Sequence, residues 1–333
     1  MKSDTNNYLS LLHFFSKSLF LGIGISKIIM IARESTIISI ILGSIIGYFI
    51  LSIINNLNYT NANKFQKICM FIILYILFSI GIIEIINLIS SIYLMDTNKY
   101  ILMIPLLIVI LYMNTKSITI NMKISNILLY IVDISIIIAF LALIPKIKLT
   151  NYLPIFNTKL KYILLASIEY ALYSVTPNIL YGGIKYNYKN KNKDLKKRYI
   201  YSNIFLIIII LTTQGILSTY LVDLFKYPEY IVLKKINLLD FINNVENIFS
   251  FIWIYITYIY LSICSKQMYD MVLDTFNNKY IYPIFVFISM YFITKYLLNS
   301  QIFLLNLFNY LWILCLIILI LYILINIRSY KKE

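Results

Sequence analysis

About ten stretches of roughly 20 apolar residues follow one another along this chain, near residues 8–32, 36–55, 69–95, 100–114, 125–145, 160–184, 200–224, 248–272, 280–298 and 302–327. A hydrocarbon core about 30 Å thick is crossed by a helix of about 20 predominantly apolar residues, so each stretch is read as a transmembrane span. The fourth is the shortest and contains Pro105. The bulk composition agrees, with 61% hydrophobic and 13% charged residues, far from the charged quarter of a soluble domain. No polar connection is long enough for a separate soluble domain. The expectation is an all-α integral membrane protein forming one membrane domain over residues 1–333.

Two of the spans share an interruption. The first, near residues 8–32, carries Gly22-Ile23-Gly24-Ile25-Ser26, and the sixth, near 160–184, carries Ser174-Val175-Thr176-Pro177-Asn178. Glycine admits non-helical backbone, and proline removes a donor and clashes with the preceding turn. Irregular backbone at membrane depth is tolerated only where protein or a water-filled cavity satisfies it. Broken spans at matching places in two halves point to a binding site at the interface of inverted repeats. The halves are expected at 8–145 and 160–327, as a 5+5 inverted-repeat transporter fold with helices one and six broken. A half-helix N-terminus offers N–H groups to a carboxylate, and the opposing C-terminus offers carbonyls to an ammonium. An amino acid zwitterion matches both.

Ionisable groups inside spans are costly and are functional candidates by default. Glu84 sits mid-span with Asn87 one turn away, Asp133 lies in span five, and Glu169 precedes the second break beside Tyr170 and Tyr173. Lys27 follows the first break, and Lys17 lies earlier on the opposite side. Two roles stay open for these charges: a structural pair, Lys27–Glu84 or Lys27–Glu169, or contact with a ligand or ion. Asp133 is a further candidate for pairing. The pocket is expected between spans one, three, six and eight, lined by Gly22, Gly24, Ser26, Glu84, Tyr170, Ser174, Thr176 and Trp253.

The sole histidine, His13, stands without metal-ligand neighbours in the sequence, and Cys69, Cys264 and Cys315 show neither zinc nor disulfide spacing. They read as buried small hydrophobes. The chain has no Walker loop, no G-x-S-x-G elbow and no H-E-x-x-H motif, so neither an enzyme nor a cofactor is expected.

Lysine and arginine total 29 against 14 acidic residues, within a composition skewed to Ile, Asn, Lys and Tyr. The excess reads as lysine-rich loops facing lipid headgroups and not as nucleic-acid binding. Its densest run, Lys185–Arg198, separates spans six and seven. Cytoplasmic N and C termini place more basic residues inside than outside, as the positive-inside rule requires. The N-terminus reads as a retained first helix and not a cleaved signal peptide.

The stretch from Tyr227 to Trp253 has the specific features Tyr227-Pro228, Asp240-Phe241, Glu246 and Trp253. It resembles the segment before helix eight of the spore germination receptor B-subunits, within the amino acid–polyamine–organocation superfamily. The first two spans look similar too, through Gly22-Ile23-Gly24, Ala32 and the run from Ile38 to Gly43. The chain departs from the family pattern at Asn244, where the family carries Arg, and at Ser26-Lys27, where it carries proline. The resemblance implies a ten-helix inverted-repeat protein of the spore inner membrane. It would bind a small germinant, often an amino acid, in complex with A- and C-type receptor subunits.

Three functions stay open: such a receptor subunit, a proton- or sodium-coupled transporter of amino acids or polyamines, and a membrane scaffold without a ligand. The amphipathic run before span eight is read either as a lid over the pocket, with Asp240 and Glu246 as gating residues, or as a passive interfacial helix.

Overall fold

The computed structural model describes residues 2–20, 24–60, 62–185, 191–236, 245–297 and 300–330. Among them the regular structure is helical. Its α-helices are α1 (Lys2–Phe15), α2 (Ile25–Ala32), α3 (Thr36–Ile54), α4 (Lys64–Ile92), α5 (Lys99–Asn114), α6 (Ile118–Leu143), α7 (Leu160–Val175), α8 (Lys191–Leu224), α9 (Pro228–Leu233), α10 (Val245–Phe276), α11 (Ile281–Phe292) and α12 (Gln301–Tyr330). Among the described residues, six segments are long and apolar enough to cross a membrane: Ile25–Ile54, Lys64–Ile92, Ile118–Lys146, Leu160–Gly183, Lys191–Leu224 and Leu307–Asn326. Lys99–Asn114 and Ile281–Tyr296 are apolar but shorter. In the first of the six, Arg33 takes φ 50° and a 3-10 turn at Arg33–Ser35 separates α2 from α3.

Polarity is distributed as lipid demands. On α3 the exposed row is Ile41, Ile45, Phe49 and Ile53, while Ser39, Gly43 and Gly47 are buried. With lipid as apolar as leucine, no hydrophobic force pulls helices together, and small residues let backbones approach instead. Gly43 and Gly47 do this against α7 and α8. A Cβ on Gly43 would stand 2.6 Å from Ser167 O, and one on Gly47 would run into Tyr199 Oη. The chain is an all-α membrane protein.

The connections fall into two sets. In one, Tyr181 Oη donates to Tyr8 O (3.0 Å), Tyr322 Oη to Leu57 O (3.0 Å), Asn192 to Asn56 (2.5 Å) and Lys266 to Asn114 O (2.9 Å). Lys67 pairs there with Asp274 at 2.9 Å. In the other, Ser35 donates to Ile155 O (2.6 Å), Thr158 to Ala32 O (2.8 Å) and Lys146 to Lys235 O. Rings of Tyr93 and Tyr230 meet at 6.4 Å, and those of Tyr100 and Tyr291 at 6.2 Å. Successive connections alternate between the sets.

Between them, α4 packs along α10, α3 along α7, and α1 against α6, α8 and α10. α10 also contacts α5 and α6, α12 contacts α4 and α7, and α5 contacts α11. α8 bends at Ser218, whose φ of 62° is uncommon for a residue with a side chain. The Gly215 carbonyl instead accepts from Lys148 N (2.9 Å) and Asn151 Nδ2 (2.8 Å). The loop after α6 is thereby docked into the bend.

Candidate functional site

Both interrupted spans lose α-helical geometry, and each does so for a readable reason. α7 stops at Val175 and continues as a 3-10 helix through Thr176–Gly183. Pro177 has no N–H to return to the preceding turn. The Thr176 hydroxyl bonds Leu172 O (2.7 Å), and the Asn178 amide bonds Ser174 O (2.8 Å). Side chains thus take over carbonyls that the backbone leaves. In the first span α1 already ends at Phe15, and Lys17, Ser18 and Phe20 make three-residue bonds to Phe14, Phe15 and Lys17. The helix resumes at Ile25. The break therefore begins well before the glycines, in the serine-rich stretch Ser16-Lys17-Ser18, whose short polar side chains bond nearby backbone. Ser18 Oγ does so, to Phe15 O at 2.9 Å.

Gly22 lies outside the described residues. Gly24 caps α2, and Ser26 lies in its first helical turn, half-buried and not in unwound chain. A Cβ on Gly24 would meet Leu19 O at 3.0 Å and the Tyr173 ring at 3.3 Å. Phe20 sits between Tyr170 and Tyr173, with ring centroids 5.3 and 6.1 Å away.

Tyr173 is the centre of the site. Glu169, one turn earlier on α7, lies beside its hydroxyl without a well-formed hydrogen bond, and Glu84 of α4 is within electrostatic range. Cys315 of α12 senses both carboxyl groups, and Tyr260 of α10 senses Glu84. Glu84 is 2% exposed and Glu169 1%. Neither oxygen of Glu84 has a hydrogen-bond partner, nor do Glu169 Oε2 and the hydroxyls of Tyr173 and Tyr260. A buried carboxylate without a hydrogen-bond partner is strongly disfavoured.

The other expected residues divide. Thr176 touches the group through Cys315. Tyr170 turns to α8 and donates to Asn203 Oδ1 (2.6 Å), and Ser174 bonds Tyr199 Oη (2.7 Å). Trp253 is not with them. It lines a cavity of about 50 Å³ among α6, α8, α9 and α10, with Thr212, Thr213 and Glu229 as its polar wall. That volume is suited to a few water molecules. Sequence alone missed it because its walls come from four helices far apart in the chain.

The expected Lys27–Glu84 or Lys27–Glu169 ion pair is replaced by another arrangement. Lys27 Nζ donates to the carbonyls of Phe308 (2.9 Å) and Asn309 (2.5 Å) on α12, although Glu169 remains within electrostatic range. A cluster of ionisable side chains within the membrane lies elsewhere. His13 Nε2 stands 2.7 Å from Asp133 Oδ1, Asp133 Oδ2 accepts from Tyr201 (2.9 Å), and Lys17 Nζ contacts His13 Nε2. His13 and Lys17 are four residues apart and so share one helical face, a signal that could have joined them. Their partner on α6 is a tertiary matter.

The segment before span eight is described as far as Ile236, and Asp240 lies outside the described residues. α9 is inserted among its neighbours, with Pro228, Glu229, Tyr230 and Val232 buried. Tyr230 Oη and Asn247 Oδ1 are 3.1 Å apart, and Glu246 acts on Tyr230 electrostatically. Compared with models of known protein families and with curated proteins, the chain matches none.

Proposed function

We propose that this chain is the transporter-like, ligand-sensing subunit of a membrane receptor, of the kind the Tyr227–Trp253 resemblance implies. Its ligand is a small amine, an amino acid being the first choice. The observation that carries the reading is the unpartnered Glu84 carboxyl, buried within electrostatic reach of Tyr173 and Tyr260, whose hydroxyls also lack hydrogen-bond partners. An ammonium seated there would neutralise the carboxylate and meet several oxygens at once, a charge-assisted arrangement roughly twice as strong as neutral bonds.

The expected 5+5 architecture is supported by the packing. Exchanging each span with the one five places later turns the α3–α7 contact (spans two and six) into α8–α1 (spans seven and one), and both occur. It likewise turns α1–α6 into the contact of α7 with α12, and α6–α10 into α12–α4. α4–α10 and α5–α11 map onto themselves. Ten crossings also account for the alternation of the connections between two sets, with α5 and α11 as short spans. The buried face of α9 favours a lid over a passive interfacial helix, because a headgroup-bound helix buries its apolar side in lipid. Glu246→Ala would then alter ligand sensitivity without altering assembly.

A coupled transporter is the second reading, favoured by the His13–Asp133–Lys17 set inside the membrane. The two separate in one experiment on the purified chain in lipid nanodiscs and proteoliposomes. A panel of free amino acids and polyamines is titrated for binding by thermal stabilisation, then tested for uptake. The receptor reading expects at least one stabilising amine, no accumulation, and co-purification with A- and C-type subunits from native membranes. Glu84→Gln should weaken binding at least about thirtyfold, the effect of removing one partner of a buried charge contact. Stabilisation equal in wild type and Glu84→Gln would overturn the site, and concentrative uptake would replace receptor by transporter.

A further inference from the structure

His13 Nε2 has two partners that ask opposite things of it. A neutral imidazole nitrogen either carries one proton or offers one lone pair. Asp133 Oδ1, 2.7 Å away, is an acceptor and requires Nε2–H. Lys17 Nζ is in contact with the same nitrogen, and as an ammonium it only donates and requires the lone pair. One protonation state satisfies one partner only. His13 and Lys17 are completely buried, so water does not mediate the conflict from outside.

The surroundings serve both outcomes. Asp133 keeps the Tyr201 hydroxyl at 2.9 Å whichever way His13 turns. Lys17 has an alternative seat over the Phe205 ring, 4.8 Å from the centroid, where a desolvated ammonium is attracted to the π face. The titratable and charged groups facing the imidazole are Lys17 on its own segment, Asp133 of α6, and Arg198 and Tyr201 of α8. Lys17 belongs to the turn that separates α1 from α2, and Ser16 beside it is bonded to Asn178 at the α7 break.

We propose that His13, Asp133 and Lys17 form a buried proton-binding site whose occupancy is read by the break between α1 and α2. Without the extra proton, Nδ1 carries hydrogen and Nε2 accepts from the Lys17 ammonium. Uptake of one proton from solution makes the ring an imidazolium. Nε2–H then donates to Asp133, the Lys17 contact becomes a repulsion between cations, and the Lys17 ammonium moves onto Phe205. No other bond changes, and release of the proton restores the first state. The consequence is mechanical, because Lys17 lies in non-helical chain that can shift without breaking an α-helical ladder.

This site is independent of the Glu84 group, and its test needs no ligand. His13 is the only histidine, so the full chain labelled with 15N-histidine and held in lipid nanodiscs gives one imidazole signature by solid-state NMR. The expected result is one protonation step between about pH 3 and pH 8, a range that spans the ordinary histidine window and its acid side. Proton affinity should fall at least about tenfold in Asp133→Asn and rise about as much in Lys17→Met, from loss of an opposite and of a like charge respectively. An imidazole that keeps one protonation state across that range in the wild type would overturn the proposal. So would a step that moves in neither variant. The wild-type titration decides even where a variant does not fold.

Discussion

Asn178 donates from its amide to Ser16 Oγ at 3.2 Å, joining the two places where the membrane helices give way. The same amide bonds Ser174 O at 2.8 Å, so one side chain ties the end of α7 to the end of α1. Two discontinuities 162 residues apart in sequence thereby become one structural element. Its neighbours are the carboxyl group around Tyr173 on one side and the Lys17–His13–Asp133 set on the other.

Asn178→Ala removes both bonds and leaves Ser174 O and Ser16 Oγ buried with less to bond. The expected destabilisation is about 1–3 kcal/mol, the penalty for stranding buried polar groups. Heat-induced loss of the monodisperse detergent-solubilised protein is the measurement. An unchanged midpoint would mean that the two breaks are not mechanically linked.

Gly43 holds α3 against the backbone of α7, where an added methyl would meet Ser167 O and the Tyr170 ring. Gly43→Ala cannot be absorbed by a side-chain rotation, because the nearest atom is backbone. Overpacking of this kind costs about 1–3 kcal/mol. Gly47→Ala instead displaces the Tyr199 hydroxyl from Ser174. Thermal midpoints of the two variants should both fall, and only Gly47→Ala should be partly rescued by Tyr199→Phe.

Lys226, between α8 and α9, reaches the surface, yet the protein packed around it and then the Lys99 charge push its ammonium down to about 8. Its charged form is therefore disfavoured in the folded segment. That penalty is fully present below about 8 and disappears as pH rises towards the ordinary lysine value near 10.5. At pH 8 its free-amine fraction should exceed that of an ordinary lysine by about a hundredfold. Competitive acetylation read by mass spectrometry should find Lys226 reacting well ahead of other loop lysines at that pH. Lys99→Gln should reduce its lead.

Asp274, 59% exposed, pairs with Lys67 at 2.9 Å between the end of α10 and the start of α4. An ion pair this open to solvent contributes about 0–1 kcal/mol. Asp274→Asn should leave the thermal midpoint almost unchanged, and less changed still in high salt. A loss as large as that of Asn178→Ala would show that this pair, and not the breaks, holds the two helices together.

The membrane class, the places of the helices and the second break were legible in the residues themselves. Run length and composition decide whether a segment prefers lipid, and Pro177 removes a backbone donor wherever the chain goes. Glu84, Asp133 and Glu169 could also be marked in advance, because charge inside a twenty-residue apolar run is costly in any fold. Their partners could not. Which cation faces which carboxylate depends on helix rotation and on packing between segments more than a hundred residues apart. Lys27 thus meets α12 carbonyls, and His13 meets Asp133. The first break shows the same division. Glycines at positions 22 and 24 announce freedom to unwind, but α1 stops at Phe15, where polar serines and a contact from Asn178 offer the backbone other bonds. Local sequence sets what each segment is able to do, and tertiary contact selects among those possibilities by satisfying buried polar groups that lipid leaves without partners.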